Sequence, residues 1–591
     1  MYNFWLSFCN FMACNVYDLM KMKAEKIIAI LILLFFVTNN YSQNKYPQDY
    51  FQKPLDIPIV LAATFGELRS NHFHAGIDIK TQRKEGFDVL ASADGYVSRI
   101  KVQEWSYGKV LYVTHPNGYT TVYAHLKKFS PEIEEYVKRN QYNKESYTIQ
   151  LFPQKNQLKL KKGSVIGYSG NTGGSSAPHL HFEIRDTKTL KTINPLLFGI
   201  DVKDTKKPTI QNAYVYPLDD FAQINQVNTK QKLNITLQSN GDLIADKIYA
   251  SGMIGFGVKA FDRLDEAMNK NGLYKLELFV NRAKVYEHKL ESFAFSEGKY
   301  INLLVDYPHY INKRQRIQKC FIVPHNKLSI YKDVVANGNI YIQDGMSYTI
   351  EIKASDIKGN ITTLVIPIEG KEQKIIFEKQ QKKSAYYFKR DVFNKVTDNI
   401  VTLAIPKYSF YENVAFDFKF ENGIAKVHNR TVPMNKSFTL SFDVSEYPIN
   451  EQKKLFIGKV NSKGYVSYKN TKRKENKLYI NSRSLGNYKL ASDNKKPSIV
   501  LKNFKEAQWL TNFRFLKVKI KDNLTGIKSY KATIDGVWVL MEYEPKKGLL
   551  TYDFNDFKYH TVVKKAKHEL KIIVSDMVNN TNTYIATFYR K

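Results

Sequence analysis

Four short segments in the first third of the chain concentrate side chains able to bind a metal and move protons. They are His74-Ala75-Gly76-Ile77-Asp78, Tyr123-Ala124-His125-Leu126, Gly170-Asn171-Thr172-Gly173-Gly174 and His179-Leu180-His181-Phe182-Glu183-Ile184. Together they offer three metal ligands and two further histidines. A catalytic zinc needs that inventory: three protein ligands, one position for water or substrate, and nearby groups that handle protons and developing charge. An H-x-H pair alone is a weak signal in a chain with 12 histidines. Four histidines beside glycines or in alternating strands, with a carboxylate four residues after the first, make a stronger one.

Half-buried strands must bring these side chains together. Residues two apart in a strand share a face. In HLHFEI, His179, His181 and Glu183 therefore point one way, and Leu180, Phe182 and Ile184 point into a core. The same alternation over Thr121–Leu126 groups Tyr123 with His125, opposite Val122, Ala124 and Leu126. Asp78 lies opposite Ile77 and Ile79, and a loop must deliver His74, with Gly76 giving the backbone room. Glu183 reads equally as an orienter of a ligand histidine or as a solvated strand carboxylate. His72 and His115 read as loop residues.

The segment Phe65-Gly66-Glu67-Leu68-Arg69, followed by HFHAGIDI, YAHL and GNTGGSSAPHLHFEI, resembles the lysostaphin/LytM family of zinc metallopeptidases, which cut peptide bonds in bacterial peptidoglycan. The resemblance covers about Pro47 to Gly199. It implies zinc ligands at His74, Asp78 and His181, and a catalytic pair at His125 and His179 that orients water and stabilises the oxyanion, with the division between the two left open. It also implies an antiparallel β-sheet peptidase domain. The one other His-Glu pair, His568-Glu569, has Ile572 where an H-E-x-x-H site needs its second histidine, and reads as a solvated strand end.

Between Leu126 and Lys161 an insertion (127–160) is expected to form a helix with Ser130 as N-cap and Pro131 at its first position, then a strand over Tyr147–Phe152. It either walls the cleft beside His125 or is a surface excursion. Ile27 to Val37 is an apolar run too short to span a bilayer but suited to a signal peptide, with lysines before it and cleavage expected after Ser42. Residues 1–19 do not fit a charged n-region, so Met20 or Met22 is the better start. Export to the periplasm or cell envelope follows, with no stable membrane span after cleavage. Only Cys320 remains in the mature chain, which rules out an internal disulfide.

A chain of 591 residues with 25% charged and 43% hydrophobic residues is an ordinary multidomain composition, but a net charge of +33 is not. The lysines are dispersed and no nucleic-acid motif stands out, so nucleic acid is not the expected partner. An anionic envelope is one explanation of the charge; a compositional bias toward Lys, Asn and Ile is the other. After Gly199 short alternating strands dominate, and a repeat is visible. Asp204-Thr205-Lys206-Lys207-Pro208 echoes Asp493-Asn494-Lys495-Lys496-Pro497; Val258–Asp262 echoes Val518–Asp522; Ser355-Asp356 with Asn360 echoes Ser575-Asp576 with Asn580. The turn aspartates read as turn formers rather than calcium ligands.

The expected organisation is mainly β: a leader over 1–42, a peptidase domain over 43–200, an immunoglobulin-like β-sandwich with an insertion over 201–370, a β-rich module over 371–492 and a second immunoglobulin-like sandwich over 493–591. The expected function is a secreted zinc endopeptidase acting on peptidoglycan cross-links, by analogy the D-Ala to diamino-acid bond. The β-sandwich modules would bind the wall, dock an envelope protein or act as spacers. The alternatives are a non-catalytic relative that activates a separate wall amidase, and a peptidase acting on a protein such as a Gly-rich segment.

Overall fold

The computed structural model describes residues 45–377, 384–559 and 565–591. The apolar run Ile27–Val37, the two candidate starts and the cleavage point after Ser42 lie outside the described residues. Two units divide the chain, Met1–Tyr50 and Phe51–Lys591. Of the first, only residues 45–50 are described, mostly as bends. Every element named here belongs to the second. Strands dominate it, and no helix among the described residues is long and apolar enough to cross a membrane.

The elements that carry the four segments are β1 (Leu61–Ala63), β2 (Ile77–Lys80), β3 (Gly95–Val102), β4 (Lys109–Thr114), β5 (Tyr119–Leu126), α1 (Pro131–Asn143), β6 (Ile149–Leu151) and β7 (His179–Asp186). They form an antiparallel sheet in the order β1-β2-β7-β5-β4-β3-β6. The H-x-H strand β7 is central, between the strand that carries Asp78 and the strand that carries His125. Leu180, Phe182, Ile184, Ile77 and Ile79 are all fully buried on one side. Each such side chain contributes about 1.5–3 kcal/mol of burial free energy. That anchorage fixes the register, and the register sets Asp78 directly across from His181.

The insertion forms α1 and β6. Ser130 precedes the helix with extended backbone and Pro131 occupies its first turn, but the Ser130 side chain makes no capping bond. The Glu134 carboxylate reaches back instead and accepts from the Phe129 amide at 2.9 Å. Ile133 and Val137 are buried under the helix. β6 is shorter than the expected strand and closes the sheet edge against β3.

The sheet does not stop at residue 200. Thr192–Ile193 pairs with β7 on one side and with Ser292–Phe293 on the other. Phe65 and Phe73 share a buried cluster with Leu290, Phe293, Ile301 and Leu304. Residues 209–370 build a 13-stranded sheet around their own core. Two five-stranded sheets and a two-stranded pair enclose the next core, between Tyr386 and Ser492. From Ser498 to Tyr589 a four-stranded and a five-stranded sheet face each other across a shared apolar layer. His568 is buried there with Nδ1 2.7 Å from Asp535 Oδ2. It is a bonded core-edge histidine, not a solvated strand end.

Candidate metal centre

His74, Asp78 and His181 converge. His74 Nε2 lies 3.0 Å from Asp78 Oδ1 and 3.0 Å from His181 Nδ1, and His181 Nδ1 lies 2.7 Å from Asp78 Oδ1. All three side chains are buried. The protons on the far sides of the rings can be assigned from their partners. His74 Nδ1 sits 2.8 Å from the Thr64 carbonyl, which only accepts, so it carries N–H. His181 Nε2 donates to Glu183 Oε1 at 2.9 Å. In the neutral rings this leaves two nitrogen lone pairs and a carboxylate oxygen aimed at one another. Such a trio needs a cation between its members, a proton or a metal, and the donor set suits a metal ion.

The electrostatics agree. Burial opposes the charge on Asp78, yet His74 and hydrogen bonds from His179 and His181 hold its carboxyl well below the usual range. Burial pushes His74 down. For His181 burial acts in the same direction, but bonds to Asp78 and Glu183 outweigh it and raise the ring to about 9. Glu183 is fully buried. Despite that burial, Arg185 and His181 hold its carboxyl at about 2. Arg185 Nε donates to Oε2 at 2.6 Å, and the Tyr107 hydroxyl donates to Oε1 at 2.5 Å while its ring stacks on His181 at 5.1 Å. Glu183 is therefore an orienter of His181 and not a solvated carboxylate. Asp78 Oδ2 is held in turn by Arg69 at 3.0 Å.

His125 reaches this centre by a route that alternation alone misplaces. Tyr123 pairs across from Phe182 and its ring packs on Phe182, on the core face. Strict alternation would send His125 the same way. A register shift between β4 and β5 puts an extra residue into β5, and His125 adopts φ 60°. This bulge turns the imidazole back across the sheet, to 4.8 Å from the His179 ring and 5.9 Å from that of His181. His125 Nδ1 donates to the Thr172 carbonyl at 2.8 Å, and His179 Nδ1 donates to that of Ala177 at 2.8 Å. His125 thus keeps Nε2 for chemistry, while His179 Nε2 faces Asp78 Oδ1 at 3.5 Å, at the edge of the centre. Burial, with His181 and His179 beside it, pushes His125 down to about 3.

Two glycines make the close approaches. A Cβ on Gly76 would sit 2.2 Å from the Phe182 carbonyl oxygen, and one on Gly173 would sit 2.3 Å from the Gly108 amide. The second contact locks the Gly-rich loop against the turn carrying Tyr107.

The family description "Peptidase family M23" matches residues 72–142 and 148–195, the stretch that holds all five of these side chains. This stretch of the chain matches peptidase family M23. The description "Zu5-like domain" matches residues 385–493, the module whose type the sequence pattern left open. The chain is 34% identical over 118 residues to the DD-carboxypeptidase/endopeptidase Mpg of Neisseria meningitidis, covering 20% of this chain and 21% of that protein. It is 29% identical over 123 residues to the peptidoglycan DD-endopeptidase ShyA of Vibrio cholerae, covering 20% of this chain and 23% of that one. The chain thus spans about a fifth of the length of these curated relatives. Among solved structures, the catalytic domain of lysostaphin from Staphylococcus simulans aligns at 21% identity and TM-score 0.18, over 24% of this chain and 91% of that one.

Around the M23 centre, sequence reasoning missed Tyr107, Thr64 and the role of Arg69, because a loop carbonyl or a turn tyrosine carries no periodic signal. His72 sits exposed in a short hairpin with Nδ1 2.8 Å from the Ser70 carbonyl. His115 is buried and bridges the Asp94 carbonyl and the Thr121 hydroxyl at 2.8 Å each. Neither joins the centre.

The insertion helix of the M23 domain meets the last module. Lys138 pairs with Asp556 at 2.6 Å, Lys558 with Glu135 at 2.8 Å, and Tyr142 stacks on Tyr559 at 4.6 Å. Lys109, buried beside the bulge, pairs with Glu542 at 3.0 Å. Lys546 bonds the Asn171 carbonyl and, at 2.8 Å, that of Ser175 in the Gly-rich loop. A cavity of about 870 Å³ lies along this seam, lined by Lys109, Lys138, Leu540, Glu542 and Asp556. The insertion is therefore a docking element, a role neither sequence reading foresaw.

Proposed function

We propose that this protein is an exported, zinc-dependent endopeptidase that hydrolyses peptide cross-links of bacterial peptidoglycan. The observation that carries this reading is the convergence of two imidazole lone pairs and the Asp78 carboxylate beside two further histidines, His125 and His179, whose Nδ1–H groups are committed to carbonyls and, for His179, whose Nε2 faces Asp78 Oδ1 at 3.5 Å. His74 Nε2, Asp78 Oδ1 and His181 Nδ1 would hold the zinc. When bound, zinc polarises a scissile carbonyl and lowers the pKa of water toward about 7. The rest falls to the side chains. Thr64 and Glu183 fix the ligand tautomers. His125, kept neutral by its buried setting, offers Nε2 as a proton acceptor. With Nδ1–H committed to a carbonyl, a ring that takes a proton at Nε2 becomes a donor to a developing oxyanion or a leaving amine. His125 and His179 share these two tasks.

The names of the two DD-endopeptidase relatives support peptidoglycan as substrate and the D-Ala to diamino-acid cross-link as the bond. The leader at Ile27–Val37 supports export, and the net charge of +33 suits an anionic envelope. We take 43–200 as the peptidase module and 201–370, 371–492 and 493–591 as the modules that follow. The complete set of five side chains favours catalysis over a role as amidase activator. The test is digestion of purified sacculi by the mature chain, with mass spectrometry of released muropeptides, with and without chelator and beside His125→Ala. Cleaved cross-links from the wild type alone support the reading. Equal products from all three samples, or none from zinc-loaded wild type, refute it.

A further inference from the structure

The sequence repeat acquires a second meaning in three dimensions. Asp204, Asp262 and Asp356 bring one carboxylate oxygen each to within 4.8 Å of one another, and so do their repeat counterparts Asp493, Asp522 and Asp576. The two trios occupy the same places. Asp204 and Asp493 lie in the Pro-containing linkers that open their modules. Asp262 follows the strand Ile248–Phe261 and Asp522 follows Phe515–Lys521. Asp356 and Asp576 head matching turns, in which Asn360 Nδ2 and Asn580 Nδ2 bond the aspartate at 2.7 and 2.6 Å and the linker carbonyl at 3.3 and 2.8 Å.

Hydrogen bonding accounts for the turn aspartates and for Asp522 Oδ2, which accepts from the Leu524 and Gly526 amides at 3.0 and 2.8 Å, but it leaves one oxygen of the middle member of each trio unsatisfied. Asp262 is only 3% exposed, and its Oδ1 is buried without a hydrogen-bond partner. Asp522 Oδ1 is likewise buried and without a partner. A buried carboxylate oxygen in a cluster of three carboxylates, with no donor to satisfy it, is costly unless a proton or a metal cation is present. The same unpaired oxygen recurs at the equivalent repeat position of the second module.

We propose that these trios are two equivalent calcium sites, one at the start of each repeated module. All donors are oxygens, and the set is anionic, largely buried and assembled from a linker, a strand end and a turn. That chemistry suits a hard divalent cation of flexible coordination rather than the nitrogen-preferring metal of the histidine centre. Because one ligand of each trio comes from the linker, calcium would tie the linker to the body of the module and stiffen the junction.

The test uses the full mature chain, zinc-loaded so that the histidine centre is filled, in calcium-free buffer. Calcium chloride is titrated calorimetrically and by thermal melting, with magnesium chloride as comparison. The expected result is two calcium ions per chain, half-saturation on the order of 0.1–1 mM as in extracellular modules, and an upward shift of the melting transition. Asp262→Asn and Asp522→Asn should each remove one ion, and the double variant both. Without calcium Asp262→Asn should melt at or above wild type, because a repelling charge is gone. A turn former would instead lose stability in the same variant. Wild type with no calcium-dependent shift, a stoichiometry unchanged in the single variants, or a calcium response equalled by magnesium would overturn the proposal.

Discussion

Glu183→Gln tests the centre most sharply, because it keeps the side chain's shape and removes only its charge. The wild-type carboxylate is fully buried and accepts from His181, Tyr107 and Arg185. Its fall from 4.5 to about 2, at 1.36 kcal/mol per pH unit, corresponds to about 3 kcal/mol in favour of the charged form. The rise of His181 shares the same bond and is not added to it. Glu183→Gln should therefore cost the zinc-free fold about 3 kcal/mol. That advantage of wild type is full above about pH 4.5 and shrinks as the pH falls toward 2. The lost carboxylate also makes His181 a weaker donor, and removing such an orienting partner typically lowers metal affinity about 10–100-fold. Competition with a chromophoric chelator at pH 7.5 measures the second effect and thermal melting the first. Glu183→Gln/Arg185→Met, which leaves no stranded guanidinium, separates the His181 bond from an orphaned Arg185. A folded Glu183→Gln protein that binds zinc within about threefold of wild type would refute the orienting role.

Zinc binding should displace a proton from His181, whose folded value near 9 exceeds the ordinary 6.5. Apparent affinity should then climb about tenfold per pH unit up to about pH 9 and flatten above it, while the proton's own stabilisation of the zinc-free fold is full below 6.5 and lost through 9; a flat chelator-competition profile would contradict this. His125→Ala should retain stoichiometric zinc by atomic absorption and lose about 10²–10³-fold in cross-link cleavage; loss of zinc instead would make His125 a ligand. Phe293→Ala, which empties a site packed on Phe65 at 4.9 Å and Phe73 at 5.1 Å, should cost about 3–5 kcal/mol in denaturant unfolding. A cost under about 1 kcal/mol would mean the two modules do not depend on that core. Gly76→Ala should give little folded protein, since its Cβ meets the Phe182 backbone; soluble, zinc-binding Gly76→Ala would refute that steric reading.

Much of the centre was legible because strands encode direction with a period of two. HLHFEI sorted itself into a core face and a polar face, and Asp78 fell opposite its isoleucines. The same rule failed at His125, where one extra residue in β5 and a left-handed backbone reverse the side chain. A bulge is decided by the partner strand, so it leaves no local mark. Thr64 and Tyr107 were invisible for a related reason: one acts through its carbonyl and the other from a turn. The repeated aspartates were visible, and their turn role holds at Asp356 and Asp576. Their convergence with Asp262 and Asp522 needed the fold, because residues about 30 to 150 positions apart meet only when sheets form. Docking of the last module on the insertion helix was illegible, being a contact between segments more than 400 positions apart.

The shared core of Phe65, Phe73, Leu290 and Phe293 bears on how this gene's modules can be exchanged. Thr64, whose carbonyl sets the His74 tautomer, has its hydroxyl held by the Gly272 amide at 3.1 Å, and Asn269 bonds the Ala62 carbonyl at 2.9 Å. A crossover at residue 200 would sever the strand Ser292–Phe293 from the sheet it extends and detach His74 from its orienting frame. Recombination that keeps this frame whole would have to fall beyond Tyr331, the last side chain packed on the shared core. The heritable unit is then considerably longer than the stretch that bears the histidine motifs, and a segment excised by motif alone would carry its histidines without the lever that aims them.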